Sequence, residues 1–567
     1  MTWKEILFNP LRLCGVAIGT FLVYLSIFCP ISKLLVFSNP SFITGFFKTS
    51  YFDSLCENFG WILIIYSLRE MFWKIYVKDY KKFIPLMIQF FIIIFIYSIA
   101  RQLKDSIVIP YIGVEGAQTC KMFVLVSVFF YQVFYSKMTR ITHESKWILF
   151  AKLPIVIYFT IFAFCLMGNP HIVPSQSTIL QWKLFAPSIT IFTKTIDFTG
   201  LWRILVSAKI FDIIGIWPNV IYYIFAEIFA VSATMVWFWQ TANKYVKKDE
   251  KFRYYGALMI AAQIAALNTG LVTESLSSSC STHLSLSKAI NAIILGLTII
   301  SLFVNHYFFN VVKHEEVNEI KKKTPSNLTI MQIIKKYPTS IFIALLTVFY
   351  GFSTLAVESF WKDKVKLLSI EKSKVTGEAA SFIYSKMNGG YVTFQSRLAI
   401  IFALIMSNIL PKLSWLLLST ITPLVMLFGS ILLFGPLIFN FNLPMMSILE
   451  TSFLGGYVML ALFKSLKYNA FDISKEIYVS SKEDDAKREI KNLEGMFGRV
   501  GKSGGAILIF VILIITNKNI NSLFFSWFLF IVCSLMSILW IIIDFKLNKD
   551  LNKTRLQEEQ NNETNTK

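Results

Sequence analysis

Residues 313–338 read KHEEVNEIKKKTPSNLTIMQIIKKYP, the longest strongly charged stretch between the apolar runs that otherwise fill the chain. N-terminal to it lie six such runs, near 83–101, 119–137, 147–168, 216–239, 254–273 and 287–311. C-terminal to it lie six more, near 338–357, 393–411, 413–438, 442–465, 504–516 and 523–544. A hydrocarbon layer about 30 Å thick is crossed by about 20 apolar residues in a helix. Runs this long and this continuously apolar fit helices, because barrel strands alternate in polarity. The charged stretch therefore marks a hydrophilic joint between two sets of six membrane helices.

This pattern predicts an all-α integral membrane protein of twelve transmembrane helices in two six-helix lobes, major-facilitator-like, with a cargo site near the midplane where the lobes meet. It divides the chain into an N-terminal extension, 1–79, a first lobe, 80–312, a charged cytosolic linker, 313–337, a second lobe, 338–546, and a polar tail, 547–567. The tail has no aromatic residue and little to bury, so it is expected to be disordered. The extension carries an extra apolar segment, Leu11–Phe37, interrupted by Pro30, which reads as a membrane-associated element outside the core.

Of the 567 residues, 55% are hydrophobic and only 16% charged, too oily for a soluble domain of this size. Lys and Arg number 55 against 34 Asp and Glu, a formal charge of +21. Such an excess suits nucleic acid, anionic lipid or an anionic cargo, but in a membrane protein much of it is topology. Basic clusters follow the second, fourth and sixth runs: Lys137, Arg140 and Lys146; Lys244, Lys247, Lys248, Lys251 and Arg253; Lys321, Lys322, Lys323, Lys335 and Lys336. The positive-inside rule places these in the cytosol with Lys546, Lys549, Lys553 and Arg555. Membrane lipid is thus an expected partner; nucleic acid and an obligate protein partner are not. The seven cysteines form no CxxC and the five histidines no HExxH, so no metal, cofactor or catalytic centre is expected.

Charges inside the apolar runs are the candidate functional residues. Trp217–Trp239 (WPNVIYYIFAEIFAVSATMVWFW) holds one acid, Glu227, and a charge at the centre of a span costs about 2.5–3.5 kcal/mol. Either it serves the site or it is a hydrogen-bonded packing residue. Arg101, Lys104 and Asp105 close the first run. They are either an interfacial cluster with snorkelling cations or a cation pair facing a cavity, where polyphosphate needs charge-assisted donors. Glu358 and Lys362, with Trp361 between them, close the seventh run, the counterpart position in the second half. Gly501-Lys502-Ser503-Gly504-Gly505 invites a phosphate-loop interpretation, which fails because position 496 is Met where that loop requires Gly. These glycines suit close helix approach, with Lys502 a charge at a cavity mouth.

Several stretches resemble, in order, the ATP:ADP antiporter family, nucleotide transporters of obligate intracellular bacteria, plastids and microsporidian parasites. They are Lys81–Pro85 (KKFIP), RQLKDSIVIP (Arg101–Pro110), YYIFAEIFA (Tyr222–Ala230), FWQTANK (Phe238–Lys244), LAVESFWK (Leu355–Lys362), ITP (Ile421–Pro423), KYNAFDISKE (Lys467–Glu476) and GRVGKSGG (Gly498–Gly505). The resemblance covers about Lys78 to Asp544. It implies twelve spans, exchange of ATP for ADP (with GTP and GDP as further purine cargo), and roles for Lys104 and Lys502 in phosphate attraction and for Glu227 and Glu358 in gating, charge balance or specificity. Asp105 would position Lys104. Arg101 and Lys362 are further candidates, and Tyr111, Tyr222, Tyr223 and Trp361 are candidates for stacking on the base. A carrier feeding on host ATP belongs in the plasma membrane of an intracellular parasite, with an organellar membrane as the other placement. Two alternatives remain in view: a proton-linked or net purine nucleotide importer in which Glu227 titrates, and a polytopic lipid- or sugar-modifying enzyme, for which His143-Glu144 and His171 are the only hints.

Overall fold

The computed structural model describes residue 60 and residues 79–565, apart from 143–145, 186–187, 192–193, 198, 231–232, 234–237, 247, 281, 313–334, 336–337, 410–412, 483–489, 491–493, 495–496, 498–500, 503 and 514–521. The Leu11–Phe37 segment and nearly all of the charged linker lie outside the described residues.

The described chain is helical almost throughout. The helices are α1 (Tyr80–Ile141), α2 (Trp147–Ile161), α3 (Gln176–Leu184), α4 (Thr199–Ser207), α5 (Ile210–Gly215), α6 (Trp217–Phe229), α7 (Trp239–Tyr245), α8 (Lys248–Ser279), α9 (His283–Val312), α10 (Ser340–Thr376), α11 (Ala380–Ile409), α12 (Trp415–Ile438), α13 (Ile448–Leu466) and α14 (Asp472–Ser480). They are followed by α15 (Gly504–Leu513) and α16 (Leu523–Asn565). One antiparallel hairpin, β1 (Ser188–Ile191) with β2 (Lys194–Asp197), pairs Ser188 with Asp197 in the connection between α2 and α6. The all-α expectation holds with this small addition.

Among the described residues, six helices are long and apolar enough to cross a membrane, those beginning at Tyr80, Trp147, His283, Ser340, Trp415 and Leu523. That is fewer than the twelve apolar runs. Several runs pass through undescribed residues. α8 and α11 have the length, at 32 and 30 residues, but are more polar because they pack against each other. α1 contains two runs at once.

α1 is broken at Gly113, whose φ of 77° and ψ of 176° no L-residue adopts without strain. Arg101 reaches Glu358 and, seventeen residues later, Gln118 reaches Ser359. A straight helix would have travelled about 25 Å in that interval, so Gly113 turns the chain back on itself. The expectation that Arg101–Ser106 ends the first span is thereby corrected. The helix continues through Leu103, Ile107, Val108 and Ile109, all buried, and the charges lie inside the arm. Glu358–Lys362 likewise lies in the middle of α10 rather than at its end. Hydropathy falls at these residues, but their charges are paired with one another, so the helix has no reason to stop.

One apolar core, running from Phe83 to Leu551, joins both halves. Phe90 stacks on Phe238 at 4.2 Å and Phe159 on Tyr222 at 4.3 Å. Gly501 and Gly505 allow the close helix approach that their spacing suggested. A Cβ on Gly501 would lie 2.6 Å from the Val348 carbonyl oxygen, and one on Gly505 2.8 Å from Phe352, so α15 lies directly on α10. The tail was expected to be disordered, yet α16 runs on to Asn565. Its Leu, Lys, Arg, Gln and Glu residues are good helix formers that prolong a helix already nucleated by the membrane span.

Candidate functional site

Four helices each present charged residues to one point between the halves. From α1 come Arg101, Lys104 and Asp105; the i, i+4 spacing sets Arg101 and Asp105 on one face. α6 contributes Tyr223 and Glu227, α10 contributes Glu358 and Lys362, and α13 contributes Lys464. Lys104 Nζ lies 2.9 Å from Asp105 Oδ1 and 3.0 Å from Glu227 Oε1, and 3.7 Å above the Tyr223 ring, a cation–π contact. Lys362 Nζ donates to Asp105 Oδ2 at 2.7 Å and lies 2.7 Å from Glu358 Oε1. Glu358 also accepts from Arg101 Nη2 at 3.2 Å and meets Lys464 Nζ at 3.1 Å. Arg101 Nη1 donates to the Tyr97 hydroxyl at 3.0 Å.

The result is a continuous chain of ion pairs from Glu227 through Lys104, Asp105, Lys362 and Glu358 to Arg101 and Lys464. Four cations face three carboxylates, leaving one positive charge in excess. Taken out of water singly, each of these groups would be costly; together each has a counter-charge. Two of the pairs, Arg101–Glu358 and Asp105–Lys362, join the first half to the second.

Exposure differs along the centre. The side chains of Arg101 and Glu227 are 32% and 29% accessible, whereas those of Lys104 and Asp105 are 2% and 4%. Arg101 lies on the Tyr80 side of Lys104 along α1. Lys502, exposed at the start of the α15 segment, makes no ion pair among the described residues.

The structure brings together six of the eleven candidate residues singled out from sequence, Arg101, Lys104, Asp105, Glu227, Glu358 and Lys362, with Tyr223 beneath Lys104. Lys502 stands apart from the ion-pair chain. Two aromatic candidates are packed inside their own halves. Tyr222 is fully buried, stacked on Phe159, with its hydroxyl donating to Asn291 Oδ1 at 3.3 Å. Trp361 is buried against Tyr391 and Phe453, and its Nε1 donates to the Phe453 carbonyl at 3.2 Å. Neither leaves a ring face for a base in this conformation, because each points away from the ion pairs into its own half. Tyr111 is exposed. Sequence reasoning missed Lys464, although the signal existed: it is a lone base at the end of the 442–465 run, to which the logic applied to Glu227 extends. Among the described residues no group of His, Cys, Asp and Glu is placed to hold a metal ion.

The profile described as TLC ATP/ADP transporter matches residues 64–551, a stretch that includes every residue of this centre. The chain belongs to the TLC ATP/ADP transporter family. Membership makes it a nucleotide transporter of the membrane rather than an enzyme, and the lipid- or sugar-modifying alternative falls away. Among its relatives, ADP,ATP carrier protein 1 of Rickettsia prowazekii (strain Madrid E) is 30% identical over 508 residues, covering 85% of this chain and 96% of that protein. ADP,ATP carrier protein 1 of Rickettsia bellii (strain RML369-C) is 29% identical over 510 residues, with 86% and 96% covered. Among solved structures, a D-xylose-proton symporter superposes with a TM-score of 0.52 at 12% identity, covering 82% of this chain and 97% of that one. At that identity the likeness concerns the fold alone, and it bears out the major-facilitator-like architecture for this family member.

Proposed function

We propose that this transporter exchanges ATP for ADP by alternating access, with the ion-pair centre between its halves as the phosphate-binding site. The observation that carries this is the excess of cations, Arg101, Lys104, Lys362 and Lys464, over Asp105, Glu227 and Glu358 at the join of the two halves. Nucleotide phosphates carry several negative charges, and Lys and Arg bind them through charge-assisted hydrogen bonds. The carboxylates pair with these cations, and an entering nucleotide competes with them for the same partners. The names of the rickettsial relatives, ADP,ATP carrier proteins, support this cargo. With no phosphate-hydrolysing loop in the sequence, the driving force is the nucleotide gradients themselves. The rickettsial sources of the relatives support the plasma membrane of an intracellular parasite as the setting.

Glu227, already holding Lys104, acts in this scheme as a counter-charge rather than a proton carrier, which favours exchange over proton-linked import. Uptake of labelled ATP by expressing bacterial cells tests the proposal. ADP should compete with it, and Glu227→Gln should lower uptake at least about tenfold with surface expression intact, the loss expected when buried Lys104 loses one charged partner. Unchanged uptake would reduce Glu227 to a packing residue.

A further inference from the structure

We infer that the Asp105–Lys362 ion pair is the latch that keeps the empty carrier from changing the side it faces, making Asp105 the residue that enforces exchange. This rests on the exchange proposed above. α1 and α10 run in register through the centre: Arg101 meets Glu358 and, one turn further along both helices, Asp105 meets Lys362 at 2.7 Å, with side chains only 4% and 10% accessible. Beside them Gln118 Nε2 donates to Ser359 Oγ at 2.6 Å.

The neighbouring helix pair closes the same end. On Gly270 of α8, a Cβ would lie 2.6 Å from the Thr393 nitrogen and 2.8 Å from the Gly389 carbonyl oxygen of α11; on Gly389 it would lie 3.1 Å from the Glu274 nitrogen. The two halves thus touch backbone to backbone. Asp105 falls in the second half of the α1 arm that precedes Gly113, Lys362 one turn past the middle of α10, Gly270 past the middle of α8 and Gly389 in the first half of α11, on the side of the bundle away from the link between α9 and α10.

Facing the other side requires the halves to part along this line. Without nucleotide, parting takes from Asp105 and Lys362 one of the two counter-charges each holds in a buried setting, and from Arg101 its carboxylate, Glu358, and losing counter-charges there is costly. A bound nucleotide changes that balance. Its phosphate oxygens replace, for Arg101 and Lys362, the carboxylates from which they part, while Asp105 keeps Lys104 and Glu358 keeps Lys464 in either case. Loaded carrier then reorients and empty carrier does not, which is the condition for exchange.

The test uses the full chain in proteoliposomes and compares initial uptake of labelled ATP with and without ADP inside. The wild type should be strongly stimulated by internal ADP. In Asp105→Asn, uptake into empty vesicles should rise about five-fold or more, the lower end of coupling between linked events, so the stimulation ratio falls toward one. A merely structural role would lower both uptakes together and leave the ratio in place. Ser359→Ala, which removes the Gln118 bond without altering charge, should move the ratio the same way by less, and it carries the test if Asp105→Asn is not recovered folded. A stimulated wild type with an unchanged ratio in the variants overturns the latch alone. An unstimulated wild type overturns the latch together with the exchange on which it rests.

Discussion

Lys104→Glu should abolish nucleotide transport, and Lys104→Gln should reduce it roughly a hundredfold. Lys104 is almost fully buried, and its ammonium is held by Asp105, by Glu227 and by the face of Tyr223. Removing one member of a buried pair costs about 3–5 kcal/mol because the partner charge is stranded, and about 3 kcal/mol corresponds to roughly a hundredfold. Neutralising Lys104 leaves Asp105 with Lys362 but strips Glu227 of its ammonium. Reversing it sets a third carboxylate against Asp105 and Glu227 and turns the centre from attracting phosphate to repelling it. Nucleotide binding to purified protein, measured alongside uptake at matched surface expression, should rank wild type above Gln and Gln above Glu. Equal binding by the two variants would count against a phosphate role for Lys104.

Glu358→Gln should have the next largest effect, and of a different kind. Glu358 holds Arg101 from the first half and Lys362 and Lys464 from its own. Without its charge, four cations face two carboxylates, and the excess rises from one positive charge to two. Anions should bind more tightly while the step that releases them slows. The half-saturating ATP concentration should fall, and the maximal rate should drop at least about tenfold, as for a change that stabilises the bound state more than the transition between states. A raised half-saturating concentration at unchanged maximal rate would instead make Glu358 a direct contact of the nucleotide.

Much of this was legible in the chain because membrane helices declare themselves by length and hydropathy. The charges inside them are so costly that Glu227 stood out alone in its window. What the sequence concealed was pairing. Arg101 and Glu358 each ended an apolar run, so each looked like the edge of a span. In the folded protein each neutralises the other across 257 positions of sequence, and both helices continue past them. The same blindness hid Lys464, whose partner Glu358 lies on another helix. It also made Tyr222 and Trp361 look available for a base, since composition does not say which face of a helix a ring occupies. The turn at Gly113 was hidden for a further reason. Residues 107–112 are as apolar as those within a span, and one glycine with positive φ, rather than a polar loop, reverses the chain.

The central claim is that one nucleotide leaves for each that enters through this centre. Proteoliposomes loaded with labelled ADP and given external ATP test it most directly. Labelled ADP should leave only when external nucleotide is supplied, in amounts matching the ATP taken up, and neither movement should survive Lys104→Glu. Release of ADP into nucleotide-free medium at the same rate, or ATP uptake with no matching ADP release, would contradict the exchange proposed here.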